Sequence, residues 1–160
     1  GADGIAFGCL REDASMDRER NARMLSIIHS QGKEAVFHRA FDCTPDPYAA
    51  MEGLIALGVD RVLTSGQKPR AIDGWELLKE LQDRYGSQME ILAGSGVNVT
   101  NARKLMELTG ITQVHSSCKD WKADPTTVGG QISYSIASGE QELCYDVVSA
   151  ELVRQLLKII

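Results

Sequence analysis

Residues 34–42 combine an apolar strand pattern with three side chains that can do chemistry. His38, Arg39 and Asp42 can exchange protons, hold an anion or bind a metal ion. Alternation along an extended strand puts His38 and Asp42 on one face and Arg39 on the other. A carboxylate beside an imidazole fixes its tautomer and raises its basicity. The pair therefore predicts an acid/base or metal site, with a buried structural network as the alternative.

Arg39 has two interpretations that the sequence does not separate. It can clamp an anion, or it can pair with Asp42 or Glu34. His115, near the end of a later strand pattern, falls at the same edge of the predicted sheet. The candidate catalytic residues are therefore His38, Arg39, Asp42 and His115.

Small and hydroxylated residues follow the other strand patterns. Parallel strands end at one edge of a sheet, where α/β proteins bind their ligands. Glycines before a helix let backbone N–H groups approach a phosphate or carboxylate. The predicted anion- or ligand-binding residues are Thr64, Ser65, Gly66, Gly94, Ser95, Gly96, Ser116 and Ser117.

Four cysteines are spread along the chain without a Cys-x-x-Cys pair, which argues against a zinc ribbon or a disulfide framework. Thiolates together with imidazole are the ligands that a soft ion such as Cu(I) prefers. Cys9 and Cys43 follow neighbouring predicted strands and form the predicted metal-binding pair, with His38 as a third ligand. Cys118 follows the last strand. Unrelated thiols are the alternative interpretation.

Composition limits the partners. The chain has 17 basic and 22 acidic residues and a formal net charge of −5. It has no basic run, which argues against nucleic acid or an anionic membrane surface as a partner. No apolar stretch reaches the ~20 residues of a membrane-spanning helix. Without a secretory signal pattern, we expect a cytoplasmic protein.

Short strand patterns alternate with amphipathic helix patterns. Strands are predicted at 5–10, 35–41, 61–64, 89–93 and 112–116, and helices at 17–30, 45–57, 69–84, 100–110 and 149–160. Residues 119–145 are predicted as a long irregular loop, either a lid or a linker. The alternation predicts an α/β fold in which right-handed crossovers join parallel strands. We expect one domain over 1–160, a TIM-barrel-like repeat with five of eight units and thus an incomplete parallel barrel.

Five short motifs follow one another along the chain: GADGIAFG at 1–8, FHRAFD at 37–42, RVLTSGQ at 61–67, AGSGV at 93–97 and VHSS at 114–117. In these motifs, their order and their spacing, the chain resembles the copper homeostasis protein CutC family. The resemblance implies a TIM barrel whose fourth strand is 5–10 and whose eighth is 113–116. The first three βα units of that family, with an Arg-Pro-Arg-Gly-Gly segment, have no counterpart here.

The resemblance implies a cytosolic protein that binds and handles Cu(I) without turnover. A TIM-barrel enzyme acting on a small anionic compound, phosphorylated or carbonyl, is the alternative. In that enzyme His38 or Asp42 is the base, Arg39 and 94–96 hold the anion, and His115 is the acid. The open barrel edges predict a homo-oligomer, or pairing with a missing N-terminal part.

Overall fold

The computed structural model describes residues 1–135 and 137–160, which form two compact units, 1–115 and 116–160. The chain was expected to be one partial-barrel domain, and each unit is described separately below. Within the described residues, no helix is both long and apolar enough to cross a membrane.

The first unit is a five-stranded parallel sheet in the order β1-β2-β3-β4-β5. Its strands are β1 (Gly4–Phe7), β2 (Glu34–Phe37), β3 (Arg61–Thr64), β4 (Glu90–Ala93) and β5 (Gln113–Val114). Its α-helices are α1 (Arg18–Ser30), α2 (Pro47–Leu57), α3 (Trp75–Tyr85) and α4 (Ala102–Thr109). The predicted parallel α/β repeat is confirmed. Because β1 and β5 are the two edges of this sheet, the five strands do not close into a barrel.

One face of the sheet is buried. In β2, β3 and β4 every second residue is buried, which is the period of a strand with one covered face. The buried strand residues meet a helical layer that includes Met51, Leu54, Leu78, Leu81 and Leu105, each fully buried. The alternate strand residues Val36, Leu63 and Leu92 are only half-buried. The core of this unit therefore lies between the sheet and its helices.

Local sequence signals set the helix ends. Asp17 accepts a hydrogen bond from the Arg20 N–H at the start of α1. Asp46 caps α2 ahead of Pro47, and Gly58 ends that helix in the left-handed conformation. Helix α4 begins at Ala102, two residues after the predicted Thr100, because Asn98 and Thr100 first form a side-chain-capped turn.

The second unit corrects the predicted irregular loop. Residues 119–145 contain strands because β6 (Lys119–Ala123) pairs antiparallel with β9 (Cys144–Val148). A shorter pair, β7 (Val128–Gly129) and β8 (Ile132–Ser133), lies between them in sequence. Helix α5 (Ala150–Leu157) follows, capped by the Ser149 side chain. The glycine, serine and threonine content suggested a loop, but Gly129 lies in β7, Ser133 lies in β8 and Gly130 lies in the turn between them.

Two glycines let two backbone segments of the first unit touch. Gly66, after β3, has a φ of +67°, and a Cβ there would lie 2.3 Å from the Gly74 carbonyl oxygen. A Cβ on Gly74 would lie 2.1 Å from the Ser65 carbonyl oxygen. These neighbours are backbone atoms and cannot swing away, so each position requires glycine.

We expect Gly74→Ala to lower the free energy of unfolding by about 1–3 kcal/mol, because the added methyl group overpacks this contact. The midpoint of urea unfolding measures the loss. Gly129→Ala is the matched control, since a Cβ there meets no atom within 4 Å. Equal midpoints for the two variants would contradict the close contact.

Asp60 joins three elements at the opposite, N-terminal edge of the sheet. Its Oδ2 accepts the Ala35 N–H at 2.7 Å and lies 2.8 Å from His29 Nε2, at the end of α1. Burial by itself raises the pKa of Asp60. The hydrogen bonds from Ala35 and His29, together with the nearby charges, lower the pKa by more than burial raises it, so it lies below the ordinary Asp value. The folded state therefore favours the ionised carboxylate.

A lowered folded-state pKa adds stability that is present above the unfolded Asp pKa of about 3.9 and is lost as the pH falls through the folded value. Because the Asp60 side chain is 43% exposed and solvent screens its charge, we expect Asp60→Asn to cost only about 0.5–1 kcal/mol at pH 7 and less at pH 3. Unfolding free energies at both pH values test this. Asp83→Asn is the control, because Asp83 pairs with an exposed lysine on the same helix. A cost for Asp60→Asn that is the same at both pH values would refute the argument.

Candidate functional site at the C-terminal edge of the sheet

Strand β2 ends earlier than the sequence predicts. It stops at Phe37, and residues Arg39–Cys43 form a 3₁₀ helix in which the Phe41 N–H donates to the His38 carbonyl oxygen. The expectation that His38 and Asp42 share one strand face is therefore wrong. The helical turn brings Arg39 and Asp42 together instead, because they are three residues apart.

Asp42 is the centre of a hydrogen-bonded network between this turn and β3. Its side chain is only 7% exposed, and its Oδ2 accepts the Arg39 Nε–H at 2.7 Å. Its Oδ1 accepts from Thr64 Oγ1 at 2.6 Å, and both oxygens lie 3.1 Å from the Ser65 backbone nitrogen. The Gln67 N–H adds a contact of 3.2 Å. Donors thus occupy the lone pairs of this carboxylate, which supports the structural interpretation over a role as general base.

Residues 64–67 are arranged around Asp42. Thr64 and Ser65 are fully buried, and Thr64 Oγ1 also accepts the Gly66 N–H. Ser65 Oγ lies 2.9 Å from Asp42 Oδ2 and bonds the Lys68 carbonyl oxygen. Gln67 has a φ of +58° and donates its amide to the Thr44 carbonyl oxygen. Of the residues predicted to bind a ligand here, Thr64 and Ser65 bind Asp42, and Gly66 provides the close backbone contact.

Arg39 is held on one side and open on the other. Its Nε–H donates to Asp42, and its Nη2 donates to Ser65 Oγ at 2.9 Å. The side chain is nonetheless 41% exposed. The pairing with Asp42 is therefore observed, and the role of Arg39 as an anion clamp stays a prediction.

His38 has a defined tautomer. Its Nδ1 accepts the Ala40 N–H at 3.2 Å, so the neutral ring carries its proton on Nε2. A Cβ on Gly8 would lie 2.7 Å from His38 Nδ1, so the ring packs directly against this glycine. In this form His38 is a hydrogen-bond donor, and neither nitrogen offers a free lone pair. The geometry does not support His38 as a third metal ligand or as the general base.

The loop at 94–96 uses part of its polar groups within the protein. Ser95 has a φ of +82°, and its hydroxyl donates to the Pro69 carbonyl oxygen. The Gly94 N–H donates to Thr64, and the N–H groups of Asn98 and Thr100 donate to side-chain oxygens within the turn. A Cβ on Gly96 would lie 3.2 Å from the Arg70 side chain. Of the loop residues, Gly94 and Ser95 thus each use one donor within the protein, and anion binding at 94–96 stays a prediction.

The remaining candidates do not join the Asp42 network. His115 is exposed, follows β5, and is separated from the end of β2 by β3 and β4, or roughly 14 Å at ordinary strand spacing. Ser116 and Ser117 belong to the second unit, where Ser116 Oγ accepts the Cys118 N–H.

Cys9 and Cys43 are free thiols that follow the neighbouring strands β1 and β2. Cys9 is half-buried and Cys43 is exposed. Asn21 fixes the backbone of Cys9, since its Oδ1 accepts the Cys9 N–H and its Nδ2 donates to the Cys9 carbonyl oxygen, both at 2.9 Å. In the part of the chain that the structure describes, no three His, Cys, Asp or Glu side chains form a metal cluster.

Sequence reasoning missed Asn21, Gln67 and Gly8. Asn21 is fully buried within a helix, and a polar residue on the apolar side of α1 was the available signal. Gly8 immediately follows β1 and packs against the His38 ring just after β2, and a glycine at a strand end can indicate such a close contact. The position of Gln67 could not be predicted from the sequence, because glutamine rarely adopts the left-handed backbone conformation that it has here.

Comparison with known proteins assigns the family. The model of the CutC family matches residues 1–120. The chain belongs to the CutC family. The family protein CutC of Treponema denticola is 42% identical over 79% of this chain and 51% of its own length. The family protein CutC of Porphyromonas gingivalis is 35% identical over 100% of this chain and 64% of its own length. The chain thus spans only part of these CutC relatives.

One of two similar solved structures agrees with the CutC assignment. A proposed copper homeostasis protein CutC from Streptococcus agalactiae has a TM-score of 0.65 and 31% identity, covering 71% of this chain and 55% of that one. A native KDPGal structure has a TM-score of 0.56 and 13% identity over 98% of this chain and 57% of its own, which shows a shared fold alone.

We expect Asp42→Asn to lower the free energy of unfolding by about 2–3 kcal/mol, because it leaves buried donors without the charge they surround. Urea unfolding measures the change. Asp73→Asn is the control: Asp73 pairs with Arg70 across the same spacing, but its side chain is 43% exposed. We expect the control to leave the urea midpoint nearly unchanged. If Asp42→Asn also left the midpoint unchanged, the network would not be needed for stability.

Proposed function

We propose that this CutC-family chain takes part in copper homeostasis as a cytoplasmic Cu(I)-binding protein, with Cys9 and Cys43 as its ligands. The supporting observation is that two free thiols follow adjacent parallel strands at one edge of the sheet, in a chain of this family. Cu(I) accepts soft thiolate ligands at low coordination number.

The number of available ligands favours Cu(I) over zinc. Structural zinc sites take four ligands, whereas the described residues contain no cluster of even three His, Cys, Asp or Glu groups. His38 has its Nδ1 occupied by Ala40 and its proton on Nε2, so it adds no ligand in this conformation. A two-thiolate site is therefore the form that we propose.

The two cysteines differ in how firmly they are held. The backbone of Cys9 is fixed by the buried Asn21, while Cys43 is exposed at the end of the 3₁₀ helix. Cys9 would then hold the ion, while the exposed Cys43 could exchange its bond to the ion with a ligand from another molecule. Such a pair suits an ion that is taken up and passed on. This division of roles is part of the proposal.

The test is an anaerobic competition titration of the reduced protein against a Cu(I) chelator. We expect the double variant Cys9→Ser, Cys43→Ser to weaken Cu(I) binding by roughly tenfold or more, which corresponds to about 1.4 kcal/mol. Cys144→Ser is the control, because Cys144 lies in β9 of the second unit. We expect Zn(II) not to displace Cu(I). Unchanged affinity in the double variant, or tighter Zn(II) binding, would refute the proposed ligands.

A further inference from the structure

Two neighbouring residues at the C-terminal edge of the sheet are each fixed on one side and open on the other. Arg39 is anchored by Asp42 and Ser65, and His38 by the Ala40 N–H. Polar groups that are already held in place bind a ligand without the entropic cost of ordering a side chain. This preorganisation is independent of the thiols.

The edge of the Arg39 guanidinium group that carries Nε and Nη2 forms hydrogen bonds within the protein. Nε and Nη2 donate to Asp42 and Ser65, whereas Nη1 has no partner among the described residues. The opposite edge of the group therefore keeps one N–H on each terminal nitrogen. That pair of parallel donors matches the two oxygens of a carboxylate or a phosphate.

Asp42 does not cancel the positive charge of Arg39 completely. Its carboxylate is shared with donors on Thr64, Ser65 and Gln67, so Arg39 is one of several groups that stabilise it. Because the Asp42 side chain is 7% exposed and that of Arg39 is 41% exposed, the cation faces solvent and the anion does not. An approaching anion thus meets the positive member of the pair.

His38, which directly precedes Arg39 in the chain, supplies a second donor. With Nδ1 occupied, its neutral ring presents Nε2–H, and no described residue accepts from that group. Contact with Gly8 and the tilted Phe37 ring, 6.0 Å away between centroids, fixes the plane of the imidazole. A neutral donor of this kind can bind an oxygen of an anion or a carbonyl group.

We propose that Arg39 and His38 form a binding site for a small organic anion that carries a carboxylate or phosphate group. Arg39 binds two of its oxygens through the open edge of the guanidinium, and His38 Nε2–H binds a further oxygen. Asp42, Ser65 and Thr64 are positioning residues that hold Arg39. The loop at 94–96 is not part of this site.

The experiment uses sodium phosphate and sodium acetate as probes, with sodium chloride at equal ionic strength as the reference. Each probe is titrated into the ¹⁵N-labelled chain, and the Arg Nε–H signals are followed by NMR. We expect the Arg39 signal to shift with a saturable dependence and the melting temperature to rise at roughly 50 mM probe. A response to phosphate alone, to acetate alone or to both identifies the anion class.

The variants separate this site from its neighbours. Arg39→Lys keeps the charge but loses the paired donors, and we expect roughly tenfold weaker binding. Arg70→Lys is the matched control, since Arg70 also pairs with an aspartate three residues later and packs against Gly96. His38→Asn keeps an acceptor for the Ala40 N–H but removes the Nε2 donor, so it tests His38 even if Arg39→Lys folds poorly.

Three results would overturn the proposal. One is the absence of any saturable shift of Arg39 with either probe. Another is weaker binding in Arg70→Lys with unchanged binding in Arg39→Lys, because that would assign the anion to the loop at 94–96. The third is unchanged affinity in His38→Asn, which would remove His38 from the site.

Discussion

The buried carboxylate of Asp42 is the interaction on which the C-terminal edge of this sheet depends. It joins the 3₁₀ helix after β2 to the segment after β3, elements that belong to different βα units. A charge with this little exposure is tolerated only when donors surround it, and here side chains and backbone N–H groups do so. Removing one donor therefore affects all the others, since they share one acceptor group.

The same network explains why some polar side chains at this edge have free hydrogen-bond donors and others do not. Asp42 and Ser65 use their polar atoms within the protein, whereas Arg39 and His38 retain unused donors. The thiols lie outside the network. The proposed copper site and the proposed anion site thus use separate atoms of the same edge, and the loss of one does not require the loss of the other.

Much of the fold was predictable because the signals are local. Alternating apolar residues marked the strands, and Asp17, Pro47 and Gly58 marked helix ends through capping chemistry. The family motifs gave the order of the units. The end of β2 was not predictable, because residues 38–41 continue an extended-looking pattern. The turn is favoured by side-chain hydrogen bonds, from the Ala40 N–H to His38 Nδ1 and between Asp42 and its partners on Arg39 and β3. The hairpins of the second unit were missed because β7 and β8 have only two residues each and most residues of β6 and β9 are exposed.

Helix α1 is attached to the sheet at both ends. Near its start, Asn21 and the Asp17 N–H bind the backbone of Cys9, and near its end His29 binds Asp60 at the opposite edge. The 13 residues of α1 span about 20 Å, so the helix acts as a strut of fixed length between the two edges. Its length is consequently constrained: an insertion of one residue would rotate Asn21 away from Cys9 or His29 away from Asp60 by about 100°. A force that shifts α1 along its axis would be transmitted directly to the loop that carries Cys9.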